Sequence, residues 1–364
     1  MSDSINKQLQ QLIITHAVYI EKYKTYEENK MLKILEAADD ALTAELAKSK
    51  GTIATERRLK KQLEAIKALE ESYASVFYDE YTGDLKAFAG NESGWYVERL
   101  KELTSPYVNL DFTLPSAAQV YAAAEASFLI LDKGVTLDLE SMITSVFGNR
   151  ATIIEQTLRQ GFVLGKTNQE LVKELMGYEE AGVFFDGNMK RARTSMERIV
   201  RTTMSHLSST ARDEVYSRND DIVKGYKWVS CIDTRTSPTC INYDGRCWYY
   251  DKDYIPDNAS LLPGPVKNPA HYHCRSCTVP ILKSWRELGI NINEAPEGTR
   301  SALDGYVPQS MTYSEWFDKA GEKVQMDVLG PARFKQYKEG GMKITEFIKD
   351  GSWLSLEQLK QRGH

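Results

Sequence analysis

The chain has 364 residues, of which 42% are hydrophobic and 27% charged, and its formal net charge is −5. This composition is typical of a globular protein in water, and the length allows two or three domains. The sequence has no run of about 18 or more apolar residues, which excludes a bilayer-spanning helix. The mild negative charge excludes a polycation built to coat nucleic acid.

The N-terminus and the cysteine content indicate the compartment in which the chain matures. Met1–Lys7 lacks the basic and then apolar order of a secretory signal peptide. We therefore expect the chain to mature in a reducing cytoplasm. Five cysteines, an odd number, favour free thiols or a metal site over a disulfide framework.

The segment 5–80 has the periodicity of long amphipathic helices, with apolar side chains at i, i+3, i+4 and i+7. One apolar series runs over Leu9–Tyr23 and a second over Met31–Leu46. After a break at a glycine, a third helix is predicted over about 55–78. Glycine, proline and asparagine predict a less regular segment over 81–118.

Further helices are predicted at about 117–131, 137–147, 150–160 and 168–176. The glycines of Gly161–Thr167 suggest a phosphate-binding loop, but that loop needs four residues between its glycines and this segment has three. We therefore reject a nucleotide site. Thr167 and Glu170 instead have the spacing of a capping box, which satisfies free N–H groups at a helix start. We assign residues 1–140 to an N-terminal helical region.

The strongest helical signal of the second half covers 189–216, and the hydrophobic period then changes. Alternating residues predict a strand over 226–231, with two more short strands at 246–250 and 278–282. Proline, glycine and asparagine predict a loop over 257–269. This order predicts a small antiparallel sheet that carries the cysteine and histidine residues.

The cysteines and two of the five histidines lie within Trp228–Pro280. Structural zinc usually has four tetrahedral thiolate and imidazole ligands, supplied in closely spaced pairs. The spacings His271-x-x-Cys274 and Cys274-x-x-Cys277 fit this rule, and Cys240 completes a candidate set of four. Zinc at these four residues would staple a small sheet that buries little apolar surface.

Two other interpretations of these residues stay open beside zinc. In the first, the thiols are small buried hydrophobic groups and His271 is hydrogen-bonded within its loop. In the second, Cys274 is a nucleophile activated by a neighbouring base. Residues so close together in an extended loop seldom face one another in catalytic geometry, and no His-Glu-x-x-His motif is present. We therefore expect a structural role and no enzymatic activity.

The same stretch carries a set of residues that resembles a known family. These residues are Trp228, Asp233, Arg235, Thr236, Cys240, Asp244, Gly245, Pro269, His271, Cys274 and Arg275. Their pattern is similar to that of the Mu F-type head morphogenesis proteins of tailed phages, which are minor head proteins. The helix that includes Arg201-Thr202 resembles the helix before the family's sheet. The resemblance covers about 150–282, and we place the Mu F-type module at 141–285.

A second match lies downstream, in segments that resemble the tail of many such minor head proteins. These segments are Gly298–Arg300, Asp304–Pro308, Thr312–Phe317, Gln325–Arg333 and Leu354–Leu359. Because the two matches occur in order, we place a C-terminal minor-head tail at 286–364. The expected fold is α+β and mostly α-helical, with long N-terminal helices, a central helix with a small antiparallel sheet, and a short helical tail.

The resemblance also bears on the metal site. Family members that look metal-bound carry a cysteine pair in the first half and His-x-x-Cys-x-Cys in the second. Ser237 and Ser276 stand where two of those cysteines would be, and Cys277 is one position late. Asp233 and Arg235 match the family pattern, which implies a structural role in the turn, since an Asp–Arg pair can hold a strand end and a loop together.

The resemblance implies a virion protein of few copies that joins the prohead in the host cytoplasm and has a role in DNA packaging or ejection. Its implied partners are the portal protein or the major capsid or scaffolding protein, with packaged double-stranded DNA nearby and no membrane. Two alternatives are a DNA-binding zinc-stapled module and a toxin or enzyme built on the Mu F-type module. Asp251, Asp253 and Asp257 disfavour the first, and the tail match after residue 285 disfavours the second.

Overall fold

A computed structural model of the chain describes residues 2–48, 52–53, 55–126, 130–131, 135–136, 138–251, 260–261, 269–271, 274–289, 299–303, 305–308, 311–349 and 351–361. The chain divides into two compact units. The first unit contains Met1–Ile20, Ala89–Val120 and Ser208–His364, and the second contains Glu21–Phe88 and Tyr121–Leu207. The expected class, a mostly helical α+β fold, is confirmed. The predicted division at residues 140 and 285 stays a prediction.

Two long helices begin the chain, α1 over Ser2–Ala47 and α2 over Glu56–Thr104. The predicted long helices are confirmed, but the irregular segment predicted from residue 81 is wrong up to residue 104, because α2 continues through it. Its apolar residues keep the helical spacing and are buried, as Leu85 and Phe88 show. Burial of this face outweighs the cost of about 1 kcal/mol that each helical glycine carries relative to alanine. Within the described residues, no helix combines the length and the apolarity that crossing a bilayer requires.

The middle of the chain is also helical. Its helices are α3 over Ala117–Ala126, α4 over Leu139–Leu164, α5 over Asn168–Met176 and α6 over Lys190–Ser217. The two helices predicted over 137–147 and 150–160 are one, since the buried stripe of α4 runs on past Gly148. The start of α5 is confirmed, with the predicted capping box between Thr167 and Glu170.

The core of the second unit joins residues of α1, α2, α4 and α5. Its buried apolar residues include Leu42, Leu46, Ile53, Leu59, Ile66, Ile154, Leu158, Leu171 and Leu175. Arg150 of α4 is 1% exposed and forms an ion pair with Glu70 of α2, with 2.7 Å between Nε and Oε2. Two antiparallel hairpins complete this unit: β1 and β2 are Ile130–Leu131 and Val135–Thr136, and β3 and β4 are Gly177–Glu180 and Val183–Asp186.

The first unit contains a small four-stranded sheet. Its elements in chain order are β5 over Val223–Val229, the short helix α7 over Pro238–Tyr243, β6 over Cys247–Tyr249, β7 over Ser260–Leu261 and β8 over Cys277–Leu282. The strand order in the sheet is β7-β6-β5-β8. The predicted antiparallel pairing is confirmed, because β5 runs antiparallel to both β6 and β8. The short strand β7 lies inside the predicted loop and pairs parallel with β6. Trp228, Trp248 and Trp285 are fully buried in the core of this unit.

The C-terminal part of the first unit is built from short elements. They are β9 over Thr299–Ala302, β10 over Gly305–Pro308, α8 over Tyr313–Lys319, α9 over Glu322–Gly340, a 3-10 turn over Ile344–Phe347, β11 over Ile348–Lys349, β12 over Ser352–Trp353 and α10 over Leu356–Gln361. Their apolar residues form a second core that also includes Ile232 and Ile241. The tail elements therefore pack directly against the loops that follow β5.

Candidate metal centre

The first donor of the candidate centre, Cys240, is placed by the start of α7. Ser237 caps this helix by accepting a hydrogen bond from the N–H of Cys240 at 3.2 Å. Pro238 occupies the first helical position, where a missing N–H costs nothing and the fixed φ favours the helix. The first turn of α7 therefore holds Cys240 inward, and its side chain is 2% exposed.

The second and third donors come from the segment that leads into β8. The N–H of Cys274 donates to the carbonyl of His271 at 3.2 Å, so the backbone turns tightly between them. Cys274 is buried and His271 is half-buried. Three residues later Cys277 begins β8 and pairs with Val229, at the end of β5. The sheet thus brings the segment before β8 close to the chain that leaves β5 for α7.

Three of the four candidate ligands lie together. The Cys240 sulfur is 3.2 Å from Nε2 of His271 and 3.7 Å from the sulfur of Cys274. One ligand atom from each of the three lies within 4.8 Å of the others. Tetrahedral zinc with bonds of about 2.3 Å to sulfur and about 2.0 Å to nitrogen separates two sulfurs by about 3.8 Å and sulfur from nitrogen by about 3.5 Å. The types and spacings of these donors therefore fit zinc.

The structure does not bring Cys277 into this group, since that residue is held in the ladder of β8. Two serines border the group instead. The hydroxyl of Ser237 lies 2.7 Å from Nε2 of His271, and the side chains of Ser237 and Ser276 both hydrogen-bond with the Cys240 thiol. The two positions at which the family pattern has cysteines thus face the same centre, with hydroxyl groups in place of thiols.

The two buried thiols differ in their protonation. A hydrogen bond from Cys240 lowers the pKa of Cys274 well below its ordinary value against the opposing effect of burial, and His271 lowers it further. The same hydrogen bond and burial raise the pKa of Cys240. The hydrogen bond between the two thiols therefore favours a thiolate at Cys274 and a protonated thiol at Cys240. Because metal ligation requires deprotonated thiols, binding of zinc would release the Cys240 proton.

A bidentate ion pair ties together the two loops that carry the donors. Both guanidinium NH2 groups of Arg275 donate to the Asp233 carboxylate, at 2.6 and 2.8 Å. The Asp233 carboxylate also accepts the N–H of Arg235 at 2.9 Å and the hydroxyl of Thr236 at 3.2 Å. The Arg235 side chain is 79% exposed, and its nearest guanidinium nitrogen is 3.7 Å from Asp233. Asp233 thus shapes the turn through the backbone of Arg235 and joins the second loop through Arg275.

Replacement of Asp233 by alanine is expected to destabilise the first unit by about 1.5–3 kcal/mol, the usual range for hydrogen bonds to charged groups. Burial opposes ionisation of Asp233, but Arg275 lowers the pKa of this carboxyl below its ordinary value. A carboxyl whose pKa is lower in the folded state than in the unfolded state stabilises the folded state. This contribution is complete above the unfolded-state pKa of about 3.9 and is lost as the pH falls through the folded-state pKa. The difference in the free energy of unfolding between wild type and variant should therefore be complete at neutral pH and should shrink below about pH 4.

Urea unfolding at several pH values measures this difference. Arg235→Ala is the matched control, because an exposed substitution of this kind changes stability by about 0.5 kcal/mol or less. Equal destabilisation by the two substitutions would contradict the assignment of Arg275 as the partner of Asp233.

The loops that carry the candidate ligands are also held from the side of the core, by Trp228, Asp244 and Gly245. The indole N–H of Trp228 donates to Ser230, whose hydroxyl donates to the carbonyl of Cys240 at 2.8 Å. The Asp244 carboxylate accepts the N–H of Ser230 and the N–H of Tyr313, each at 2.7 Å. Gly245 has a φ of 80°, which favours glycine, and donates its N–H to the carbonyl of Trp228. These residues connect β5, α7 and α8 around the centre.

Sequence reasoning missed two contributors to this network. Ser230 links Trp228 to Cys240, and Tyr313 donates its hydroxyl to the carbonyl of Asp233 at 2.9 Å. Tyr313 lies 80 positions from Asp233 in the chain, and no local spacing signals such a contact. The match of Thr312–Phe317 to the family tail was the one sequence signal that included Tyr313.

One comparison with known proteins identifies this part of the chain. Residues 152–279 match the family model described as Phage Mu protein F like protein, which is about a third of the chain. The three candidate ligands and the Asp233–Arg275 pair lie inside the matched span. Comparisons with curated proteins and with solved structures give no match. The resemblance to Mu F-type proteins is confirmed over these residues.

Proposed function

We propose that this Phage Mu F-like protein is a minor head protein of a tailed phage, which joins the prohead during assembly at the portal or the inner face of the capsid. The observation that carries the proposal is the family match over residues 152–279. The match contains most of the network that shapes the candidate centre. We infer partners among the portal, major capsid and scaffolding proteins, and a role in DNA packaging or ejection.

The charge of the chain supports a place beside packaged DNA rather than a DNA-wrapping role. Its net charge is −5, whereas a protein that neutralises phosphates needs a cluster of lysine and arginine residues. At the candidate centre, Arg275 is already paired with Asp233. A DNA-binding zinc module is therefore the weaker alternative, and salt-dependent binding of double-stranded DNA by the purified chain would support it.

We further propose that the centre is a structural zinc site with Cys240, His271 and Cys274 as its protein ligands. Bound zinc would cross-link α7 to the segment before β8 and so stabilise the two loops that carry its ligands. We assign the centre no catalytic role, because Cys240 and Cys274 are 2% and 5% exposed and thus shielded from a substrate. The measured zinc content of the purified protein tests this part of the proposal.

The head role is tested by mass spectrometry of purified particles of the phage or induced prophage that encodes the chain. We expect its peptides in particles, at a copy number far below that of the major capsid protein. Absence from proheads and mature particles alike would contradict the proposal. An enzyme built on the same module would instead be recovered away from particles.

A further inference from the structure

The β3–β4 hairpin of the second unit presents large apolar side chains to solvent. The exposed fractions of Tyr178, Val183, Phe184 and Phe185 are 36%, 56%, 62% and 44%. The register pairs Tyr178 with Phe185 and Glu179 with Phe184, and paired residues share one face of a hairpin. One face therefore carries Tyr178 and Phe185, and the other carries Phe184. Both faces of this hairpin are open to a partner.

This hairpin has a defined conformation. Ala181 and Gly182 at its tip have φ values of 52° and 78°, as a tight two-residue hairpin turn requires. At its base, a Cβ added to Gly177 would lie 2.4 Å from the carbonyl oxygen of Phe185, and one added to Gly187 would lie 2.2 Å from that of Leu175. These close approaches fix the hairpin against the end of α5. Its aromatic residues are thus held outward by the backbone.

The charges on the hairpin limit the kind of partner. Glu179 and Glu180 are exposed, and within the described part of the chain neither has an ion-pair partner. Two free carboxylates beside the aromatic residues repel phosphate groups, which disfavours nucleic acid and anionic lipid. The complementary surface is an apolar groove in a protein, with a basic group at its rim.

The second unit carries such a groove, between α4 and the start of α6. Two cavities of about 240 and 480 Å³ lie there and share Ile153 and Arg191 in their linings. Val146, Ile153 and Ala192 are apolar residues of the smaller cavity, and Arg191 is the basic residue at its rim. Arg191 is exposed, and among the described residues it has no ion-pair partner. Asp186 at the base of the hairpin borders the larger cavity, but the aromatic residues of the hairpin line neither cavity, so they do not fill the groove of their own chain.

We propose that the β3–β4 hairpin of one copy docks in the α4–α6 groove of a second copy, with Phe184 in the apolar part and Glu179 or Glu180 beside Arg191. Because the two surfaces differ, the association is head-to-tail. In a pair, the copy that uses its hairpin keeps a free groove and the copy that uses its groove keeps a free hairpin, so further copies can add. Because a few side chains cover much less than the roughly 1,200–2,000 Å² of a stable interface, the association is weak and depends on concentration. This inference stands apart from the proposed head role.

Sedimentation velocity of the full chain over increasing concentration tests the proposal. We expect wild type to form oligomers at high concentration, and less so in high salt because the charged contacts are screened. Phe184→Ser and Arg191→Glu should each abolish this association, since they change exposed residues of the two surfaces. Val163→Ser is the matched control, because Val163 is an apolar residue, 81% exposed, outside both surfaces; it should associate like wild type.

An equal mixture of the two inactive variants gives the sharper test. The Phe184→Ser chain keeps its groove and the Arg191→Glu chain keeps its hairpin, so the mixture should form dimers that do not grow further. Wild type that stays monomeric at every concentration would overturn the proposal, and so would a mixture that stays monomeric. Circular dichroism of each variant, expected to match wild type, confirms that loss of association is not loss of folding.

Discussion

Substitution of Cys274 by serine is expected to reduce the zinc content of the purified protein from about one ion per chain to near zero. Cys274 is the buried thiol whose pKa is lowered by Cys240 and His271, and it is therefore the donor best prepared to bind a cation. Its loss leaves Cys240 and His271, 3.2 Å apart, as a two-ligand remnant. Inductively coupled plasma mass spectrometry of protein purified without chelator measures the content directly.

The same substitution should remove the stabilisation that zinc gives to wild type. A ligand that binds the folded state alone contributes about 2.7 kcal/mol when its free concentration is a hundred times its dissociation constant. Wild type should therefore gain thermal stability when zinc is added after dialysis against a chelator, and Cys274→Ser should gain none. The gain should weaken as the pH falls, since protons compete with zinc for thiolate and imidazole.

Cys247→Ser is the matched control for both measurements. Cys247 lies on β6, its thiol donates to the carbonyl of Gly245, and it is outside the group of candidate ligands. Its variant should bind zinc like wild type. The zinc proposal would be contradicted if Cys274→Ser and Cys247→Ser contained equal amounts of zinc, or if wild type contained none. The centre would then be a cluster of hydrogen-bonded thiols.

Substitution of Arg150 by methionine is expected to destabilise the second unit by about 3–5 kcal/mol, the usual cost of breaking a buried ion pair. The Arg150 guanidinium donates to both oxygens of Glu70, at 2.7 and 3.1 Å, and to Asp39 at 2.7 Å. Arg150 and Glu70 are each 1% exposed, so methionine would leave a buried carboxylate without its cation. Urea unfolding followed by far-ultraviolet circular dichroism measures the change.

The pH dependence and a double variant identify the cause. Burial already raises the pKa of Glu70 above its ordinary value, against the effect of Arg150, and removal of Arg150 raises it further. A group whose pKa is raised in the folded state favours folding when it is protonated. The loss of stability in Arg150→Met should therefore shrink as the pH falls through the folded-state pKa of Glu70. The double variant Arg150→Met with Glu70→Gln should recover much of the loss, because the glutamine is neutral.

Arg159→Met is the control on the same helix. Arg159 is 58% exposed and pairs with Glu155 one turn away, an arrangement worth about 0.3–0.5 kcal/mol. A similar loss of stability in Arg159→Met and Arg150→Met would show that the buried pair is not the cause.

The parts of the fold that the sequence predicted are those with strong local signals. The helix at 168–176 has its capping box at Thr167 and Glu170, and the structure gives it those bounds. The sequence does not predict the continuation of α2 to Thr104, because glycines such as Gly83, Gly90 and Gly94, with proline and asparagine, indicate a less regular segment over 81–118. The helix survives them because burial of its apolar stripe is a tertiary effect, which local propensity does not include.

The β3–β4 hairpin was missed for a different reason. The usual sequence signal of a two-residue hairpin turn is Asn-Gly or Asp-Gly, whereas this turn is Ala181-Gly182. Ala181 adopts a positive φ, which is uncommon for a residue with a side chain. The glycines at the base, Gly177 and Gly187, are needed for close backbone approach, and that need becomes visible in the folded structure alone.

The candidate centre was predicted in part. Spacing identified His271 and Cys274 as a pair and Cys240 as their distant partner, and the structure brings these three together. The spacing in the sequence also predicted Cys277 as a ligand, but β8 holds that residue outside the group. The alternation of a strand decides that outcome, and a turn-compatible spacing does not reveal it.

The partner of Asp233 was beyond local reasoning. Arg235 was the neighbour that the sequence offered, but Arg275, 42 positions away, makes the bidentate contact. Sheet pairing between β5 and β8 creates this proximity.

Quantitative mass spectrometry of gradient-purified proheads and mature particles tests the proposal that this chain is a component of the phage head. Isotope-labelled reference peptides of this chain and of the major capsid protein give their ratio in each fraction. We expect peptides of this chain in proheads at a small and constant ratio to the capsid protein. If both kinds of particle lack the chain while the infected-cell lysate contains it, the chain is not a component of the head.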